Sequence, residues 1–190
     1  LDEEKITPPK ECLVEARSTK SRTVNLLVMS HPKTLSKIIT IQNFGILDKL
    51  VRVTAYVVRF VKILKAKTRK HNIDVQLSLS VDEVCGSREL WTKEMQLNLP
   101  KNKEFANWKT EFGFYTDEKG IWRCKGRLEK ANIPQSAKHP ILLDKEHNFA
   151  SLIVYDSHRR VMHNGVKETL TDIRSQYWIV RGKQFVRKLI

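Results

Sequence analysis

Asp156-Ser-His-Arg-Arg-Val-Met-His-Asn-Gly165 is the stretch on which the reading of this chain turns. Two imidazoles a few residues apart at the end of an apolar segment can form half of a tetrahedral zinc site, whose other half is usually a pair of cysteines one short helix-turn-helix further on. On one continuous helix His158 and His163 would be five steps apart and about 140° around the axis, too divergent to share an ion. They converge only if the helix stops at or just after His158, and Asn164-Gly165 predicts a turn there. Val161 and Met162 would then anchor an irregular segment against the rest of the domain. The competing reading is two surface histidines near a helix end, where a cation meets the favourable pole of the helix dipole. Downstream come Tyr177-Trp-Ile-Val-Arg-Gly182 and the last residue, Ile190, and no cysteine follows His163.

Around this stretch the pattern is helical. Asp144 is the expected N-cap of a helix through Phe149, Leu152, Ile153 and Tyr155 to about His158. A second helix is expected from Val166 through Leu170 and Ile173 to about Tyr177, and a third from near Gly182 with Phe185, Val186 and Leu189 inward. Short helices with short loops make a small bundle that benefits from a staple. Upstream, Phe112-Gly-Phe-Tyr-Thr and Ile121-Trp-Arg-Cys flank Asp117-Glu-Lys-Gly120, with the glycine placed for a positive φ, which predicts a β-hairpin. From Gly45 to about Arg69, Leu47, Leu50, Val51, Thr54, Val57, Val58, Val61 and Leu64 recur at three- and four-residue steps. Arg52, Arg59, Lys62, Lys65 and Lys67 form the polar side, and the last turns are basic as the helix dipole favours. Another helix starts at Ser80-Val-Asp-Glu83, a capping-box spacing that explains Asp82 and Glu83 as first-turn acids rather than catalytic carboxylates, and ends between Leu97 and Pro100. Residues 1–45 read as a linker with one or two weak strands at Asn25-Leu-Leu-Val-Met29 and Ile38-Ile-Thr-Ile41, or as disorder. The expected fold is therefore mainly α with a small β-hairpin, in three stretches: 1–45, a connecting region 46–135, and a helical module 136–190.

The composition narrows the partners. Thirty-five Lys and Arg against 21 Asp and Glu give a net charge of +14, spread along the chain. Such a field favours a polyanion, nucleic acid first and acidic membrane surface second. The longest apolar run, Ala55 to Leu64, is broken by Arg59 and Lys62, far short of the roughly 20 clean residues of a membrane span. Cys12, Cys85 and Cys124 are far apart and in no CxxC, which argues against a disulfide framework and for a reducing interior. Cys124 reads as a structural thiol, since no histidine lies near it in sequence. His31, His71, His139 and His147 have no partner at metal spacing and read as structural or solvent-facing. The chain starts on Leu1 with no secretory signal, and reads as a piece of something longer. No nucleophile, base and acid cluster is visible, so an independent hydrolase is disfavoured.

The C-terminal part resembles the integrase zinc-binding domain of BEL/Pao-type long-terminal-repeat retrotransposon polyproteins. The matching words are Arg127-Leu128, Ser136-Ala-Lys-His-Pro-Ile-Leu-Leu143, His158 and His163 before Asn-Gly165, Ile173-Arg174, Tyr177-Trp178-Ile179 and Arg181-Gly182. Glu11-Cys12, Leu50-Val-Arg-Val-Thr-Ala-Tyr-Val-Val-Arg-Phe60 and Glu89-Leu-Trp91 resemble the segment that joins the reverse transcriptase and ribonuclease H part to the integrase. The resemblance implies a small helical zinc-binding bundle with one zinc held by two histidines, here His158 and His163, and two cysteines expected just after Ile190. It implies a non-catalytic module that supports DNA binding and multimerisation during integration, in the cytoplasm and nucleus, with no membrane partner. The expected contacts to DNA, without sequence preference, are Arg159, Arg160, Lys167, Arg174, Arg181, Lys183, Arg187 and Lys188. The alternative is a degenerate or domesticated basic module that binds nucleic acid or protein without metal.

Overall fold

The computed structural model describes residues 35–69, 78–125 and 132–190. The expected strand at 25–29, Cys12, His31, His71 and Arg127-Leu128 lie outside them. Helix α1 (Leu35–Ile38) and a 3-10 turn (Ile41–Asn43) lead into α2 (Leu47–Thr68) and α3 (Val81–Gln96). A second 3-10 turn (Leu99–Lys101) precedes α4 (Phe105–Phe112) and the hairpin β1 (Phe114–Thr116) and β2 (Trp122–Cys124). After these come α5 (Gln135–Lys138), β3 (Ile141–Leu143), α6 (Asn148–Arg160), α7 (Gly165–Arg174), β4 (Tyr177–Ile179) and α8 (Gly182–Leu189). No helix among the described residues is long and apolar enough to cross a membrane.

The two long helices follow from local sequence. α2 buries Leu47, Leu50, Val51, Thr54, Ala55 and Val61, the three- and four-residue repeat of an amphipathic helix, and ends with Lys65 and Lys67 near its carbonyl pole. α3 begins with a complete capping box: the Ser80 hydroxyl accepts from Glu83 N–H at 3.2 Å and the Glu83 carboxylate accepts from Ser80 N–H at 2.9 Å. The two helices pack through Trp91, which is fully buried, stacks on Phe149 with ring centroids 6.1 Å apart, and donates its indole N–H to the Thr54 hydroxyl at 2.8 Å.

Four strands form one mixed sheet in the order β1-β2-β3-β4, antiparallel except for the parallel pair β3 and β4. The hairpin is as the sequence indicates, with Gly120 at φ +76° closing the turn. Cys124 is buried and its thiol donates to Phe112 C=O at 3.1 Å, and burial pushes its pKa up, so the group is a structural thiol. The larger core cluster runs from Leu35 and Ile39 through Trp91 and Phe149 to Val186, joining all three expected stretches. A smaller aromatic cluster gathers Phe105, Phe114, Cys124 and Leu142 under Trp122 and Trp178.

Several expectations are corrected. Ile38–Ile41 is no strand: a helical turn ends at Ile38 and a 3-10 turn starts at Ile41, with Leu35 and Ile39 one helical step apart in the core, Ile41 buried after them, and Glu94 accepting the Ser36 N–H at 2.9 Å. The C-terminal module is not all helical. Ile141–Leu143 and Tyr177–Ile179 pair as parallel strands, so the helix expected to reach Tyr177 stops at Arg174. Asp144 does not cap α6. Its carboxylate accepts from Glu146 N–H at 3.1 Å inside a turn, and the cap is His147, whose Nδ1 accepts from Phe149 N–H at 3.1 Å. Burial holds the His147 pKa below its usual value, which keeps that nitrogen an acceptor. Helix α4 carries no strong sequence signal and was not anticipated.

Candidate functional site

The two histidines meet because of how α6 ends. The helix stops at Arg160, Met162 N–H donates to Arg159 C=O at 3.0 Å, and His163 N–H donates back to His158 C=O at 3.0 Å. These are the two hydrogen bonds of a Schellman ending, in which the residue after the C-cap takes a left-handed conformation. Here that residue is Met162 at φ 52°, followed by His163 at φ 59°. The geometry folds the chain back on the last turn, so the rings lie with centroids 4.6 Å apart and planes at 80°. Met162 does not anchor the segment: it is 85% exposed. The left-handed backbone aims its side chain outward, and the hydrogen bonds hold the turn instead.

A neighbour on α7 orients the His158 ring. Its Nδ1 lies 3.0 Å from the Thr169 hydroxyl, and that hydroxyl donates its only proton to Gly165 C=O at 2.8 Å. The threonine can therefore only accept from the imidazole, which puts a proton on Nδ1 and assigns any ligating role to Nε2. Orientation by a second partner of this kind is what a metal-ligating histidine requires. Thr169 and its fully buried neighbour Ser157 were not singled out from sequence. The only local trace is the spacing Gly165 to Thr169, which suits a hydroxyl bonding back one helical turn. A shallow cleft of about 300 Å³ opens beside the pair, between Tyr155, Arg159 and the start of α2 at Ile46 and Leu47. Among the described residues no group of three or more His, Cys, Asp or Glu side chains is placed to hold a metal ion. The two imidazoles suit the histidine half of a zinc centre, and no further ligand stands with them in the described part.

Of the eight basic residues expected to contact nucleic acid, two are held by acids. Arg159 binds Asp156 at 2.7 Å, and Arg160 bridges Asp156 at 3.3 Å and Asp172 at 2.7 Å. Burial opposes the Arg160 charge, and the hydrogen bond and charge of Asp172 outweigh it, raising its pKa. Asp172 also accepts from Ser157, so this network locks α6 to α7. Arg174 lies 5.9 Å from the centre of the Trp178 ring. Lys167, Arg181, Lys183, Arg187 and Lys188 are exposed and have no ion-pair partner among the described residues. Elsewhere, His139 is half-buried with its ring edge-on to Tyr115 at 5.7 Å, a packing role. Compared with family models, with curated proteins and with solved structures, the chain matches none.

Proposed function

We propose that this chain is a non-catalytic, basic module that binds nucleic acid through its C-terminal face by phosphate neutralisation and needs no metal to do so. The observation that carries the reading is the charge of residues 173–190: five cations, Arg174, Arg181, Lys183, Arg187 and Lys188, no acid, and all five side chains exposed. α8 buries Val186 and half-buries Phe185 and Leu189. Its apolar face is thus spent on the core, and its cations remain for a partner. Phosphate contacts of this kind position a protein without reading sequence. Duplex DNA binding should weaken as salt rises, and Lys183→Glu with Arg187→Glu and Lys188→Glu should lower the slope of log K against log salt by about 3. Binding that is absent at low salt, or independent of salt, removes the proposal.

A second reading rests on the histidine pair. The Schellman turn and the Thr169 hydrogen bond support His158 and His163 as the histidine half of a structural zinc centre of the BEL/Pao integrase type, in a module that multimerises and grips DNA. Bound there, zinc would cross-link the end of α6 to the turn that follows, with the remaining ligands drawn from outside the described residues. Zinc titration against a competing chromophoric chelator tests it. The expected result is weak uptake by residues 1–190 and one tightly held equivalent once a cysteine pair is supplied just after Ile190, lost in both His158→Ala and His163→Ala. Uptake unchanged by either substitution refutes it.

A further inference from the structure

Helix α2 has a second face that the core does not use. Opposite Leu50, Thr54 and Val61, the steps of three and four place Lys49, Arg52, Tyr56, Phe60, Ile63 and Lys67 in one line. Tyr56 is 50% exposed and Phe60 61%, although large aromatic rings gain most from burial. One helical turn separates the rings, about 6 Å along the axis, and the line from Lys49 to Lys67 is about 27 Å long. Lys49, Arg52 and Lys67 are exposed and have no ion-pair partner among the described residues. Arg59 lies 5.9 Å from the centre of the Tyr56 ring and is held there by Glu83, which steadies that ring beside the stripe.

We propose that this stripe of α2 is a binding surface for single-stranded nucleic acid, with bases stacking on Tyr56 and Phe60 and phosphates neutralised by Lys49, Arg52 and Lys67. Exposed rings set between cations are the combination that holds unpaired bases without sequence preference. A duplex hides its base faces and has no use for the rings. The charge pattern also selects against a second copy of the chain. An antiparallel pairing centred between Tyr56 and Phe60 would bring Lys49 of one copy against Lys67 of the other, and a parallel pairing would oppose each cation to itself. The surface is separate from the C-terminal basic face and does not depend on it.

Fluorescence anisotropy on the full chain tests this, with labelled oligo-dT and oligo-U of about 20 nucleotides and a duplex of the same length. Tyr56→Ala with Phe60→Ala should weaken single-strand binding at least about tenfold while changing duplex binding less than about twofold. Comparison of the two oligonucleotides identifies DNA or RNA as the preferred strand. Tyr56→Leu with Phe60→Leu keeps apolar bulk and helix propensity but removes the rings, so it should show the same loss, whereas Tyr56→Trp with Phe60→Trp should restore binding. Single-strand affinity unchanged in both the Ala and Leu variants overturns the proposal. So does an equal loss on duplex, or a dimer in sedimentation that the Ala variant dissociates. Duplex binding and its salt dependence unchanged by charge reversal in α8 would sink the C-terminal reading, while single-strand binding lost in the Ala and Leu variants would leave this one standing.

Discussion

Replacing Gln96 with leucine should cost about 3 kcal/mol of stability. Gln96 closes α3, is only 3% exposed, and stitches the sheet where its own pairing is thinnest, since β2 and β3 share a single residue pair, Arg123 with Ile141. Its carbonyl accepts from Trp122 N–H at 2.8 Å, and its amide donates to Trp122 C=O at 2.9 Å and to Leu142 C=O at 2.7 Å. Leucine fills nearly the same volume, so the cavity term is small and the loss is that of three backbone groups left without partners. Each such group costs about 1–3 kcal/mol when buried, and the two on Trp122 lie where water reaches in part, so about 1 kcal/mol apiece is the appropriate end of the range. Urea denaturation followed by tryptophan fluorescence reads the change directly. With a slope near 2 kcal/mol per molar, the midpoint should fall by about 1.5 M. Gln96→Glu should be no better, because a carboxylate keeps the Trp122 N–H but faces two carbonyl oxygens with nothing to donate. A loss under about 1 kcal/mol for Gln96→Leu would refute the idea that this amide holds the hairpin to the parallel pair.

Three further outcomes are expected. Met162→Gly should raise stability by about 1 kcal/mol, since the left-handed Schellman position suits glycine and the methionine side chain is 85% exposed, and a stability loss in thermal melts would contradict it. Glu83 has its pKa lowered from 4.5 to about 2 by the Arg59 hydrogen bond and then by the Ser80 N–H, so its stabilising contribution is complete above pH 4.5 and fades as pH falls towards 2. Glu83→Gln should flatten the acid limb of the stability profile in that window, and an unchanged limb would rule the linkage out. His147 has a pKa lowered by burial, so the native state takes up a proton less readily than the unfolded chain and stability should fall as pH drops below about 6.5. His147→Asn should keep the cap and remove that pH dependence, while His147→Ala should cost about 1 kcal/mol, and equal stability of Ala and wild type at pH 8 would show that the cap contributes nothing.

The elements legible in the sequence are those specified by neighbours along the chain. The repeat Leu47-Leu50-Val51-Thr54 and the Ser80–Glu83 box name α2 and α3 from local spacing, and Asp117-Glu-Lys-Gly120 names the hairpin. The parallel pair was hidden because each strand is three residues long, too short for alternation to show, and because Ile141 finds Tyr177 across the whole α6–α7 connection. In the same way the sequence offers Asp144 as the cap and gives His147 no more than a structural or solvent-facing role. The strand ending at Leu143 draws Asp144 into the turn and leaves His147 as the first residue with an extended backbone before α6. At the candidate site the break between His158 and His163 could be read from Asn164-Gly165. The hydrogen bonds that create it, and Thr169, which orients the ring from eleven residues away, could not.

The sheet and the histidine pair are one consequence of topology. Parallel strands need a crossover of a dozen or more residues, and between β3 and β4 that crossover consists of α6 and α7. The chain must reverse once between the two helices to bring Tyr177 back beside Ile141, and it reverses at Val161–Asn164, the turn that sets the imidazoles together. The Asp156–Arg160–Asp172–Ser157 network then clamps the two arms of the crossover. Its two acids absorb the charge of Arg159 and Arg160, which the sequence alone would have assigned to a nucleic-acid partner. Charge held in this way stabilises the fold and contributes little to a distant polyanion. The exposed cations that this network leaves without an ion pair among the described residues include Lys167 and Arg174 on α7 itself, Lys183, Arg187 and Lys188 on α8, and Lys49, Arg52 and Lys67 on the outward stripe of α2.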